Sequence, residues 1–189
     1  MRASHPTLVA ASRALAAQRE SMLARWSDWL GERLTASKSV SRPLVEHQLG
    51  LVLDVMIALV GPLRRETKPI WMAVAEHYGR LAAARGLAAG EVVEEMQYLR
   101  ELLIRYLAPA IAALRPRQGM ALLLRLNRLV DQGVTRAVVG YTDALVQGLL
   151  AADGEDPLGE LTSIEAESVE RELDAMAAAL AAVTGHAGR

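Results

Sequence analysis

Apolar positions in this chain recur every three or four residues almost throughout, and no segment sustains the alternate-residue pattern of a half-buried strand. That periodicity predicts six helical regions. The first runs from about Thr7 to Leu34, with Leu8, Leu15, Met22, Trp26 and Trp29 at helical spacing, and gives way to the polar stretch from Thr35 to Ser41. The second opens at Pro43, whose fixed φ suits a first helical turn, and stops at Gly61-Pro62. Between Leu49 and Val60 it is apolar nearly all round, the pattern of a helix buried inside a bundle. The third is expected from Thr67, read as its capping residue, to Gly86.

The fourth region covers about Gly90 to Leu114. Glu91, Glu94 and Glu95 crowd its first turns, where carboxylates complement the helix dipole, and Pro109 should kink or shorten it. The fifth runs from about Arg117 to Ala151, with Gly133, Gly140 and Gly148 along one stripe where another helix can approach closely. Residues 153–157, Asp-Gly-Glu-Asp-Pro, form the clearest break and read as a linker. They divide a helical domain, 1–152, from a last helix, 158–184. That helix carries Ala166, Val169, Leu173, Met176, Leu180 and Val183 at alternating spacings of three and four, a short heptad seam. Val169, Leu173, Met176 and Leu180 are the candidate dimer contacts. The same spacing also suits a helix packed on its own domain.

Composition narrows the function classes. With 189 residues, 52% of them hydrophobic, the chain can bury one substantial core. A formal net charge of −1 argues against a dedicated nucleic-acid binder. The absence of Cys excludes disulfides, a thiolate nucleophile and a Cys-based zinc site. No signal peptide is apparent at the N-terminus, and the apolar run from Leu49 to Leu63 is interrupted by Asp54 and shorter than the ~20 residues that span a bilayer. The expectation is a cytoplasmic protein with no membrane and no nucleic-acid partner.

Candidate chemistry is sparse. A His on an apolar helix invites a haem-ligand reading, which His77 and, near the start of the second helix, His47 would serve. A carboxylate-bridged metal site needs Glu-x-x-His pairs, but Leu44 stands three residues before His47 and Val74 three before His77. No metal site is expected. Glu91, Glu94 and Glu95 read as first-turn charges rather than acid–base groups. No nucleophile elbow, phosphate-binding loop or His-Glu-x-x-His motif occurs, so no enzymatic activity is expected. Arg115, Arg117, Arg125 and Arg128 form a basic cluster that reads as a solvated face. Trp26 and Trp29, three apart on the first helix, suit core packing or an interface.

One stretch carries a family likeness. From Ala75 to Leu107 a helix ends at an Arg85-Gly86-Leu87 corner and a second helix follows with Glu95 and Leu99-Arg100. With Trp26 and Trp29 upstream and Asp131 and Tyr141 downstream, this resembles the N-terminal sensor domain of RsbR-type regulators (RsbT co-antagonists). Similar domains precede many bacterial histidine kinases. The resemblance implies an all-α, globin-like bundle without obligatory haem or other cofactor. It further implies a homodimer that relays a signal through its last helix to an output kinase or regulatory protein. A small apolar ligand between the third, fourth and fifth helices would meet Trp71, His77, Tyr78, Tyr98 and Tyr141. The chain departs from the family pattern in having Tyr78, not His77, directly before Gly79-Arg80. A haem-binding globin using His77 or His47, and a ligand-free helical adaptor, are the competing readings.

Overall fold

A computed structural model describes residues 5–33, 40–151 and 163–186, and every regular element among them is an α-helix. Seven are described: α1 (His5–Ala16), α2 (Arg19–Arg33), α3 (Arg42–Val60), α4 (Arg64–Ala84), α5 (Ala89–Ala112), α6 (Pro116–Ala151) and α7 (Ser163–His186). The expected linker, 153–157, and the expected start of the last helix at residue 158 lie outside the described residues.

The count exceeds the expected six because the first region is two helices. Around Ala17 and Gln18 the backbone tightens, the Gln18 N–H reaching the Leu15 carbonyl at 2.9 Å. Leu15 and Met22 on either side are both fully buried, and Arg19 grips Asp54 of α3 through two bonds of 2.6 and 2.8 Å.

Helix α3 is the centre of the bundle. Thirteen of its residues are buried, among them Leu49 through Leu53 without interruption, as its all-round apolarity predicts. It is long and apolar enough to cross a membrane by composition, and 72% of that window is buried inside the bundle. Around it α1, α2, α4, α6 and α7 pack, while α5 lies against α1, α2, α4 and α6.

The tightest helix pair is α4 with α6. A Cβ on Gly79 would strike the Ala137 carbonyl, and one on Gly140 would strike the Glu76 carbonyl. Gly133 lies directly under the Trp71 ring. Of the glycines read along α6, Gly140 thus lets the α4 backbone approach and Gly133 makes room for the Trp71 ring, as small residues permit.

Two boundaries differ from expectation. α4 begins at Arg64, a turn before Thr67, whose hydroxyl donates at 2.7 Å to the Leu63 carbonyl four residues back. Thr67 thus satisfies a helical carbonyl instead of capping a start. α5 runs through Pro109 and stops at Ala112, short of the expected Leu114.

Candidate functional site

The Arg-Gly-Leu corner builds the first part of the site. Gly86 adopts φ +76°, the left-handed region that favours glycine. Leu87 N–H then bonds Ala82 O at 3.2 Å and Gly86 N–H bonds Ala83 O at 2.9 Å, the paired bonds of a Schellman stop. Two residues on, α5 starts at Ala89, where Glu91 accepts the Ala88 N–H at 2.7 Å. This compact corner turns Arg85 inward, beneath the first turns of α5.

There Arg85 meets Glu95. The guanidinium Nη2 and the Tyr78 hydroxyl both donate to Glu95 Oε2, each at 2.5 Å. Arg85 is only 2% exposed and Glu95 only 4%. Arg85 also lies 5.7 Å from the Tyr78 ring centroid, and Trp26 stacks on Tyr78 at 6.1 Å. Burial opposes the Arg85 charge, but the Tyr78 and Glu95 oxygens outweigh it and raise its affinity for the proton. Burial, reinforced by Glu95, raises the Tyr78 phenol well above its ordinary value, so it remains a donor.

Glu95 was read with Glu91 and Glu94 as a first-turn charge; those two are exposed, while Glu95 is buried in an ion pair. Its position carries the missed signal: Val92, Glu95, Met96 and Leu99 fall on one apolar stripe, and all four are buried. An ionised carboxylate on such a stripe needs a buried partner.

The second part of the site is the seat of α7 on α3 and α4. Leu173 and Leu180 insert into the core and are buried. Val169 and Met176 pack at its edge, half-buried. The four seam residues therefore face this chain's own bundle. Glu172 lies 2.6 Å from Arg80 Nη2 and 3.8 Å from His77 Nε2, and Asp174 lies 3.7 Å from His47 Nε2.

α7 thus lies against both histidines read as candidate haem ligands, His77 buried and His47 half-buried. Gln48 Nε2 sits 3.1 Å from His77 Nδ1 and donates to it, which leaves the His77 proton on Nε2, facing Glu172. Burial, with help from Arg80 and against Glu172, pushes the His77 pKa down to about 4.

The aromatic residues expected to line a ligand site are spread through the packing. Trp71 is fully buried and donates Nε1–H to Leu129 O at 2.9 Å. Tyr98 stacks flat on Trp29, 4.3 Å between centroids, and Tyr141 donates to Leu87 O at 2.7 Å. Neither of two open cavities flanking α7 is lined by Trp71, His77, Tyr78, Tyr98 or Tyr141. One, of about 410 Å³, lies between α1, α3 and α7, with Leu51, Ile57, Ala58, Leu180 and Ala181 among its walls. The other, of about 490 Å³, lies between α4, α6 and α7, where Arg80, Arg136, Glu76 and Glu172 surround Met72 and Met176. Of the basic cluster, Arg125 turns inward and donates to the Leu59 and Gly61 carbonyls at the end of α3, while Arg115, Arg117 and Arg128 are exposed.

No protein-family model matches this chain, and no curated protein and no solved structure matches it either.

Proposed function

We propose that this chain is a sensory and dimerisation domain of a bacterial signalling protein, a globin-like bundle without haem. In this reading α7 carries the state of the bundle to an output kinase or regulatory protein in the cytoplasm. The observation that supports it best is the seating of α7. Glu172 rests on His77 and Arg80 of α4, and the residue beside His77, Tyr78, holds the buried Glu95–Arg85 pair. A repacking of the core around Tyr78 would therefore be felt at the α7 contact within one residue.

The residues that carry the RsbR-type likeness support the same reading, because they are engaged with one another or with the same core. Arg85 pairs with Glu95, Arg100 with Asp131, and Tyr141 with the Leu87 carbonyl, while Trp26 stacks on Tyr78 and Trp29 on Tyr98. A small apolar ligand finds room in the cavity between α1, α3 and α7, whose size and mostly apolar walls suit one. A haem on His77 would have to displace Glu172 from Nε2.

Hydrogen exchange tests the relay. The amides of α7 are expected to exchange at least about tenfold faster than those of α3, as a separately opening unit. Protection of α7 as deep as that of α3 would overturn it. A native mass spectrum of the purified protein reads the ligand directly, and a haem adduct would replace this reading by the haem-globin one.

A further inference from the structure

We infer that the face of α7 docked on α3 and α4 is also its self-association face. Each α7 then either sits on its own bundle or pairs with the α7 of a second copy, never both. This rests on the reading of α7 as the relay element and adds what the released helix binds.

The heptad positions of α7 are the same ones its docking consumes. Ala166, Val169, Leu173, Met176, Leu180 and Val183 alternate at three and four residues, and all six are buried or half-buried in the docked state. Most of the helix surface outside this edge is exposed. A docked α7 thus has its heptad side chains engaged, and the apolar residues it leaves exposed between 175 and 183 are alanines.

Docking is thin enough to be exchanged. Among the described side chains of this 24-residue helix, only Leu173 and Leu180 are buried. The contacts that flank them are exposed at the acid, Glu172 against Arg80 by 52% and Asp174 against His47 by 73%, and an exposed ion pair contributes about 0–1 kcal/mol. Open cavities of about 410 and 490 Å³ flank the helix, so its sides are incompletely filled.

Charge fixes the partner's direction. Glu165, Glu167, Glu170, Glu172 and Asp174 lie in the first half of α7, relieved only by Arg171. From Ala175 to Gly185 no residue is charged. A parallel pair would set the two acidic halves side by side. An antiparallel pair sets each acidic half against an uncharged one. It also registers Leu173 against Met176, Val169 against Leu180 and Ala166 against Val183 of the second copy.

The full-length chain, studied by sedimentation velocity, separates the outcomes. Arg80→Glu breaks the pair to Glu172 and sets like charges together, outside the seam. It should raise the dimer association constant by about tenfold or more. Arg80→Glu with Glu172→Arg should return the protein to the wild-type distribution. Adding Leu173→Glu to Arg80→Glu should give monomers. An Arg80→Glu variant that is folded by circular dichroism and no more dimeric than wild type overturns the inference. So does a charge-swapped variant that stays dimeric. If Arg80→Glu lowers dimer formation, copies exchange docked helices instead, and the inference is equally overturned. Fast exchange of α7 amides combined with any of these results refutes only the pairing; deep α7 protection removes the relay reading as well.

Discussion

His77 of α4 presents Nε2 to a carboxylate oxygen of Glu172 on α7, 3.8 Å away, while Gln48 of α3 occupies its other ring nitrogen. One imidazole therefore joins three helices. It does so as a neutral group, because burial and Arg80 outweigh Glu172 and bring its pKa from 6.5 to about 4. As pH falls through 6.5 the unfolded chain takes up a proton that the folded chain refuses until about pH 4. Stability is fully present above that window and is lost within it, by roughly 3 kcal/mol in all. Urea midpoints of wild type and His77→Gln, compared at pH 7 and pH 4.5, should diverge: the variant should lose markedly less on acidification. Equal losses would place the pH dependence on other groups.

The Arg85–Glu95 pair has a different sensitivity. Arg85 Nε and Nη1 are buried without an acceptor among the described residues, so Glu95 is the one anion neutralising this guanidinium. Removing it leaves a buried charge with nothing to balance it. Glu95→Ala should cost about 3–5 kcal/mol in chemical denaturation. Tyr78→Phe, which keeps the ion pair and removes one neutral donor, should cost about 1–2 kcal/mol. A Glu95→Ala variant as stable as Tyr78→Phe would mean the pair does not hold this corner.

The α4–α6 crossing is set by backbone contact, and side chains cannot move aside to relieve it. Gly79 faces the Ala137 carbonyl and Gly140 faces the Glu76 carbonyl, so even one methyl group must push the helices apart. Gly79→Ala and Gly140→Ala should each destabilise by about 1–3 kcal/mol or more, despite the better helix propensity of Ala. Gly90→Ala is the control: an added Cβ there meets nothing within 4 Å, and the change should be near neutral. Thermal melts of the three variants decide it.

These cases mark what a single sequence could reveal. Periodicity placed the helices, and the continuous apolar run of α3 foretold its central position, because burial writes directly onto spacing. The glycines of α6 signalled a close approach, but what they approach, Glu76 and Trp71 of α4, lay on another helix and carried no sign of it. Glu95 was legible only as an acid on an apolar stripe, since its partner Arg85 is ten residues away across a corner. The seam of α7 was legible as apolar, yet spacing alone cannot say which surface covers it. The alternatives differ in tertiary contact and not in pattern. The break near Gln18 had no Gly or Pro to announce it, and the buried Leu15 and Met22 keep helical spacing across it.

The cavity between α1, α3 and α7 offers a final handle on the equilibrium of α7. Its α7 wall is made of Ala177, Leu180, Ala181 and Thr184, so small side chains leave space beside Leu51 and Ile57. Ala181→Leu adds apolar volume at this wall with little change in helix propensity. Filling it should stabilise the docked helix by about 0.5–2 kcal/mol. The stabilisation should appear locally, as slower amide exchange within residues 163–186, before it appears in the global melt. A dimer population that falls in step would link docking to association through the same helix. Unchanged α7 exchange would instead mean that the added side chain points to solvent and that this cavity does not govern how α7 is held.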